Sequence, residues 1–349
     1  MIKEIIDEIQ PFFNIETLEK DKGVYVIKGR FNDPFEYSLK EVKKIIANNG
    51  FTGIFQKDGE LSKITLGILI KKEDKGITPI HILLFLITII STLVVGAIHA
   101  EVNVIKEPLL IYKGIPFSFS LLLILGGHEL GHYFTCKRFE IVATPPYFIP
   151  FPHPLIGTMG AFIKMKSPVP HKKALLWTGG MGPIVGFVLS IIVSSIGLPL
   201  SKIIYVEEAS QGIHLGVPLI MAILQKLLIS LPSSNYDIIL HPMAFAGWIG
   251  FFVTALNLIP LGQLDGGHIV YALFGKKRLF YQIPIMIILF ILGFFWSGWW
   301  FWILIVSILG LKHPPLLDEI SQFSKSDYIF SGIILMVLIL SFILIPFQI

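Results

Sequence analysis

Two regimes of hydrophobic patterning divide the chain. Up to residue 76, apolar and charged positions alternate over short distances, as in a water-soluble unit; from Thr78 onward, long apolar runs carry almost no charge. In the first regime, Ile2–Phe13 has helical spacing, Gly23–Gly29 reads as a strand, and Ser38–Asn48 as an amphipathic helix. Phe51–Gln56 and Ile64–Ile70 read as a hairpin across Asp58-Gly59, a pair suited to a tight turn. In the second regime the runs predict spans near 78–99, 115–137, 174–198, 241–260, 279–296, 297–311 and 327–347. About 20 apolar helical residues cross about 30 Å of hydrocarbon. A short helix over 265–275 should follow the fourth span, and the apolar stretch Ile213–Leu231 is either re-entrant or interfacial. The expected fold class is a polytopic α-helical membrane protein of about six to seven transmembrane helices. A small soluble α+β domain, residues 1–76, precedes the membrane part, residues 77–349.

Composition agrees. Hydrophobic residues make up 54% of the 349 positions and charged residues 15%, against about 25% charged in soluble domains. Met1–Gln10 carries Glu4, Asp7 and Glu8 with no apolar core after them, unlike a secretory signal. The single Cys136 excludes an intramolecular disulfide framework. The net charge of +4 gathers in loops, at Lys71-Lys72, Lys137-Arg138, Lys164 to Lys173 and Lys276-Lys277-Arg278, while 199–240 holds only Lys202 and Lys226. Such clusters read as topology signals rather than a nucleic-acid surface. They place the N-terminal domain in the cytoplasm, and residues 128–132 near the cytoplasmic end of the second span. The expected location is a multi-pass cell membrane, prokaryotic because no transit peptide is evident.

Residues 127–133 read Gly-His-Glu-Leu-Gly-His-Tyr inside the apolar run Phe117–Phe134. His128 and His132, four apart, project from one helical face. Two ring nitrogens there can reach one zinc ion at about 2 Å each, with Glu129 placed as a base for an attacking water. The plainer alternative is a set of core histidines hydrogen-bonded to neighbouring helices. Three ionisable groups at bilayer depth are costly without a function or a partner. A catalytic zinc needs a third protein ligand. Cys136 continues the same face but lies about 12 Å along the axis from His128, too far for one ion, and reads as a small buried residue. Asp265 lies in the stretch Asn257–Gly267, NLIPLGQLDGG. Pro260 breaks the span and Gly266-Gly267 permit a tight turn. Such a break is tolerated at depth only inside protein or beside a water-filled cavity. The Asp265 carboxylate could complete a His₂Asp set; its other reading is a helix cap. His268 is a candidate to support Asp265 through a hydrogen bond. His153 and His171 are loop residues, either at the surface or touching substrate or metal, and His313 is structural.

The motif pair HELGH at 128–132 and NLIPLGQLDGG at 257–267 resembles the site-2 protease family of intramembrane metalloproteases. The resemblance covers about residues 100–275. It implies that His128, His132 and Asp265 bind one Zn2+ per chain, that Glu129 activates water, and that Asn257 positions substrate or polarises the scissile carbonyl. It further implies substrates that are transmembrane segments of other proteins in the bilayer, with no nucleic-acid partner. Pro145–Pro152 with Gly157–Ile163 resembles the family's membrane-embedded β-hairpin region, and Gly182-Pro183 another recurring feature. The chain departs at Leu175–Thr178, where many relatives carry an acidic residue. Residues 1–76 match no assigned motif. The rivals are a metal transporter or a non-proteolytic chaperone on the same fold, and a membrane-anchored protease with a downstream glutamate ligand. No glutamate lies between 141 and 206 to serve the last.

Overall fold

The structure, a computed structural model, describes residues 2–21, 24–68, 76–205, 214–230, 236–275, 278–310 and 316–348. The basic pairs Lys71-Lys72 and Lys276-Lys277 lie outside the described residues, as does His313.

The N-terminal domain is an antiparallel sheet covered by two helices. Helix α1 (Ile2–Ile9) is shorter than its expected extent, because Pro11 lacks the N–H that would continue it. Next come β1 (Phe13–Asp21), β2 (Val24–Phe31), α2 (Phe35–Asn48), β3 (Thr52–Asp58) and β4 (Leu61–Gly67), in sheet order β1-β2-β4-β3. Strand β1 is absent from the sequence expectation. Only Phe13 near its start reaches the core, and a register shift falls between Ile15 and Thr17, so its alternation is weak. The β3–β4 turn sits at Gly59-Glu60, between the Asp58–Leu61 pair, one position later than expected. Ile5, Ile9, Ile27, Leu39, Val42, Ile46 and Ile64 fill the space between helices and sheet.

Among the described residues, three helices are long and apolar enough to cross a membrane: α3 (Pro79–His99), α4 (Ile115–Arg138) with the 3-10 turn before it, and α5 (Lys172–Gly197). Between α4 and α5 lies a hairpin of β5 (Tyr147–Pro150) and β6 (Thr158–Phe162). Two strand pairs that the sequence pattern does not show lie beyond α5. They join β7 (Lys202–Tyr205) to β9 (Tyr236–Ile239), and β8 (His214–Leu215) to β10 (Phe347–Gln348). The stretch expected over 213–231 contains only the ten-residue α6 (Leu219–Leu228), about 15 Å long. Then follow α7 (Pro242–Leu258), α8 (Asp265–Phe274), α9 (Arg278–Leu292), α10 (Gly298–Leu309) and α11 (Lys325–Ser341). The 15 residues of α9 and 12 of α10 make helices of about 23 and 18 Å.

Helix α5 is the centre of the bundle and packs on α4, α7, α8 and α11. Helix α11 is anchored to it by Asp327, whose carboxylate accepts from the Trp177 indole N–H at 2.7 Å while Trp177 stacks on Phe330. The N-terminal domain is fastened to the same side. β3 is an edge strand, and residues 317–319 pair with it: Phe55 N–H donates to Leu317 O, and Glu319 N–H to Phe55 O. Leu317 N–H in turn donates to Val169 O, just ahead of α5. The buried Asp318 carboxylate pairs with the Lys43 ammonium of α2. Covering an edge in this way removes a row of unpaired backbone groups.

Candidate metal and catalytic centre

Helices α4 and α5 run antiparallel, so that His128 faces Gly186 and His132 faces Gly182. The four-residue spacing of the histidines is matched by a four-residue spacing of glycines. A Cβ at 182 would lie 2.1 Å from His132 Nε2, and one at 186 would lie 3.1 Å from His128 Nδ1. Only bare backbone at 182 leaves room for the imidazole. The same absence opens the Thr178 carbonyl, one turn earlier, which accepts a 2.6 Å hydrogen bond from His132 Nδ1–H. That bond fixes the tautomer and leaves the Nε2 lone pair free. Thr178 falls in the segment that departs from the family pattern, but it serves through its main chain.

The third group arrives from the broken helix. α7 ends at Leu258, the chain turns through Ile259–Leu264, and α8 begins at Asp265. The Asp265 carboxylate does not act as a cap: Oδ2 lies 3.2 Å from His128 Nε2 and Oδ1 lies 3.3 Å from His132 Nε2. The two Nε2 atoms are 3.0 Å apart. A tetrahedral zinc with bonds of about 2.1 Å holds neighbouring ligand atoms about 3.4 Å apart. The gaps here approach that spacing, and among the described residues this is the cluster of donors fit to hold a metal ion. Gly179 permits α8 to come close, since a Cβ there would lie 3.2 Å from the Asp265 carbonyl oxygen.

Glu129 is 8% exposed, and the Ile163 N–H, just past β6, is directed at its carboxylate. Together with His128, His132 and Asp265 it lines a cavity of about 210 Å³ that also exposes Ala161, Phe162, Asn257 and Gln263. The structure therefore brings all five sequence candidates, His128, Glu129, His132, Asn257 and Asp265, to one cavity. His268 joins them on its wall. His153 and His171 do not line it: His153 accepts from Leu155 N–H, and His171 caps α5 by accepting from Ala174 N–H. Cys136 is fully buried in the core. Sequence reasoning passed over the Thr178 carbonyl, the Ile163 N–H and the role of Gly186. The available signal was the glycine pair 182/186, with the same period as the histidine pair.

The profile of peptidase family M50 matches residues 116–295, a range that contains every residue of this constellation and spans both motifs. The chain belongs to peptidase family M50. Among curated relatives, the probable zinc metalloprotease EGY1 of rice (chloroplastic) is 29% identical over 228 residues, 58% of this chain and 38% of the relative. The EGY1 of Arabidopsis thaliana is 29% identical over 250 residues, 62% and 45% of the two chains. The Arabidopsis EGY2 is 31% identical over 234 residues, 66% and 41%. The chain thus spans about two-fifths of the length of the M50 relatives it matches. No solved structure matches it.

Proposed function

We propose that this M50 chain is a zinc metalloendopeptidase that hydrolyses peptide bonds within or near transmembrane segments of other membrane proteins. The observation that carries the reading is the convergence of His128, His132 and Asp265 with Glu129 in one buried cavity. His128 Nε2, His132 Nε2 and the Asp265 carboxylate would hold one Zn2+. When bound, the ion supplies a Lewis acid that polarises the scissile carbonyl and acidifies water. Glu129 takes a proton from the attacking water on its carboxylate oxygen and returns it to the leaving amide nitrogen. The Ile163 N–H orients that carboxylate, and the amide of Asn257, which lines the same cavity, donates to the substrate carbonyl.

A transmembrane helix encloses its carbonyls in its own hydrogen bonds, so the substrate must unwind. Strand β6 pairs with β5 on one edge, and Ala161 and Phe162 bring it to the cavity. An extended substrate segment adds to its other edge. The hairpin enters the membrane on this reading, supported by Phe148, which packs on Phe85 of α3 and reaches Gly126, two residues from His128. Residues 77–349 form the membrane protease, of about six to seven spans, with its core over 100–275; residues 1–76 form a cytoplasmic regulatory domain. Lys137, Arg138, Lys172 and Lys173 lie at one end of α4 and α5, which supports that orientation in a multi-pass cell membrane.

The deciding experiment is Glu129→Gln. Cleavage of a model transmembrane substrate should fall by about 10³-fold, with zinc content held near the wild-type value. Unchanged cleavage would remove Glu129 from the mechanism, and zinc flux in proteoliposomes without cleavage would favour a transporter.

A further inference from the structure

The segment Leu316–Ile320 touches both parts of the molecule at once. Toward the N-terminal domain, its backbone pairs with β3 at Phe55, Asp318 pairs with Lys43, and Ile320 packs on the domain core. Toward the bundle, Leu316 is buried in the core around α5, and Leu317 N–H donates to Val169 O. Glu319 reaches further. Its Oε1 accepts from the Tyr271 hydroxyl at 3.1 Å and from Gln56 Nε2 of β3 at 3.5 Å. One carboxylate oxygen therefore joins the N-terminal domain to helix α8, whose first residue is Asp265.

The contacts at the start of α8 are matters of shape. A Cβ at Gly266 would lie 2.1 Å from Leu258 O, so the helix rests on the turn before it, and Gly179 of α5 lies against His268. Bare backbone surfaces fit closely but carry no directional bond. The bond from Tyr271 is directional. Tyr271 lies six residues after Asp265, about 9 Å along the axis, and is buried in the same core as Leu316. A hydrogen bond there fixes both the rotation of α8 and its position along its axis. A metal ligand must be held within about 0.5 Å of its place, so a small roll of α8 moves the Asp265 carboxylate off the two imidazoles. The residues that line the catalytic cavity all fall between His128 and His268. The N-terminal domain thus has no side chain in it, and its route to the site runs through the helix.

We propose that Glu319 is a positioning residue for the metal centre. Through Tyr271 it holds α8 in the setting that keeps Asp265 on His128 and His132. Because Glu319 is itself set in place by the β3 edge, docking of the N-terminal domain tightens the site. The domain then regulates by the grip on the ion rather than by covering the cavity. This rests on the reading above of residues 1–76 as a regulatory domain and of His128, His132 and Asp265 as zinc ligands.

The test uses the full chain, purified in detergent with zinc bound, and reads the rate at which a chelator removes the metal. Hydrogen exchange at the Phe55 amide reports docking in the same samples. Tyr271→Phe removes one oxygen and keeps the ring; it should lose zinc about fivefold faster, with Phe55 exchange unchanged. Glu319→Ala should lose zinc as fast. Glu319→Gln keeps a carbonyl acceptor and should stay within about twofold of the parent rate. Lys43→Met, which loosens docking, should speed zinc loss in the parent but not in the Tyr271→Phe chain, where the connection is already cut. Zinc loss from Tyr271→Phe at the parent rate overturns the proposal. So does a Glu319→Gln chain as leaky as Glu319→Ala, or an undiminished effect of Lys43→Met in the Tyr271→Phe chain. A parent chain that holds no zinc overturns the zinc reading itself and this proposal with it, whereas zinc held equally by parent and variants overturns this proposal alone.

Discussion

Helix α4 meets α5 on one side and α3 on the other, and the two contacts differ in what fills them. Against α5, backbone touches side chain directly: Gly182 and Gly186 take His132 and His128 with no room for a methyl group at 182. Against α3, the helices part and enclose about 730 Å³. Polar groups follow the same division. On the closed side His132 is tied to Thr178 O and to Asp265, whereas on the open side His81 Nε2 has no partner among the described residues. Chemistry that needs ligand atoms within a few tenths of an ångström belongs where packing leaves no alternative arrangement.

Single methyl groups test this contrast directly. Gly182→Ala should be the most damaging, because its Cβ would sit 2.1 Å from His132 Nε2 and α5 cannot retreat from α4. We expect a loss of about 3 kcal/mol, and zinc content near zero by metal analysis. Near-normal zinc would show that the glycine face does not set the site. Gly186→Ala meets His128 at 3.1 Å, so a small ring shift accommodates it. Its cost should be about 1 kcal/mol, visible as weaker zinc retention during chelator titration.

The closed side is also where the N-terminal domain is fastened, through residues 317–319. Burial alone would raise the Asp318 carboxyl pKa. The Lys43 ammonium and the N–H groups of Ser321 and Ile320 outweigh that and hold it below the ordinary carboxylate value. A lowered folded-state pKa contributes stability above the unfolded value of about 3.9, and that stability is lost as pH falls through the lower folded value. Docking should therefore be constant from neutral pH down to about pH 5 and loosen only below about pH 4. Lys43→Met should speed hydrogen exchange at the Phe55 amide about fivefold at neutral pH, or about 1 kcal/mol. Exchange that is unaltered by this change would place the fastening elsewhere.

Gly126→Ala probes the open side and should have the smallest effect. Its Cβ meets Phe148 at an ordinary 3.5 Å, and alanine favours helix by about 1 kcal/mol over glycine. Thermal stability should be unchanged or slightly raised, with zinc retained. A loss as large as that of Gly182→Ala would erase the distinction between the two faces.

Much of this was legible in the residues. The long apolar runs had to be helices, because hydrocarbon offers no other partner for backbone groups, and α3, α4 and α5 follow them closely. The period of His128 and His132 placed both rings on one face, and helix rise excluded Cys136. Strand β1 and the pairs β7–β9 and β8–β10 were not legible, since their few residues alternate weakly and their partners lie far along the chain. Asp265 marks the boundary between the two kinds of knowledge. Its sequence setting allowed either a ligand or a helix cap. The choice depends on where a residue 137 positions from His128 comes to rest, which no local pattern encodes. Packing brings it beside the histidines: Gly179 lets α8 close on α5, Gly182 seats His132, and the carboxylate lies against two imidazoles.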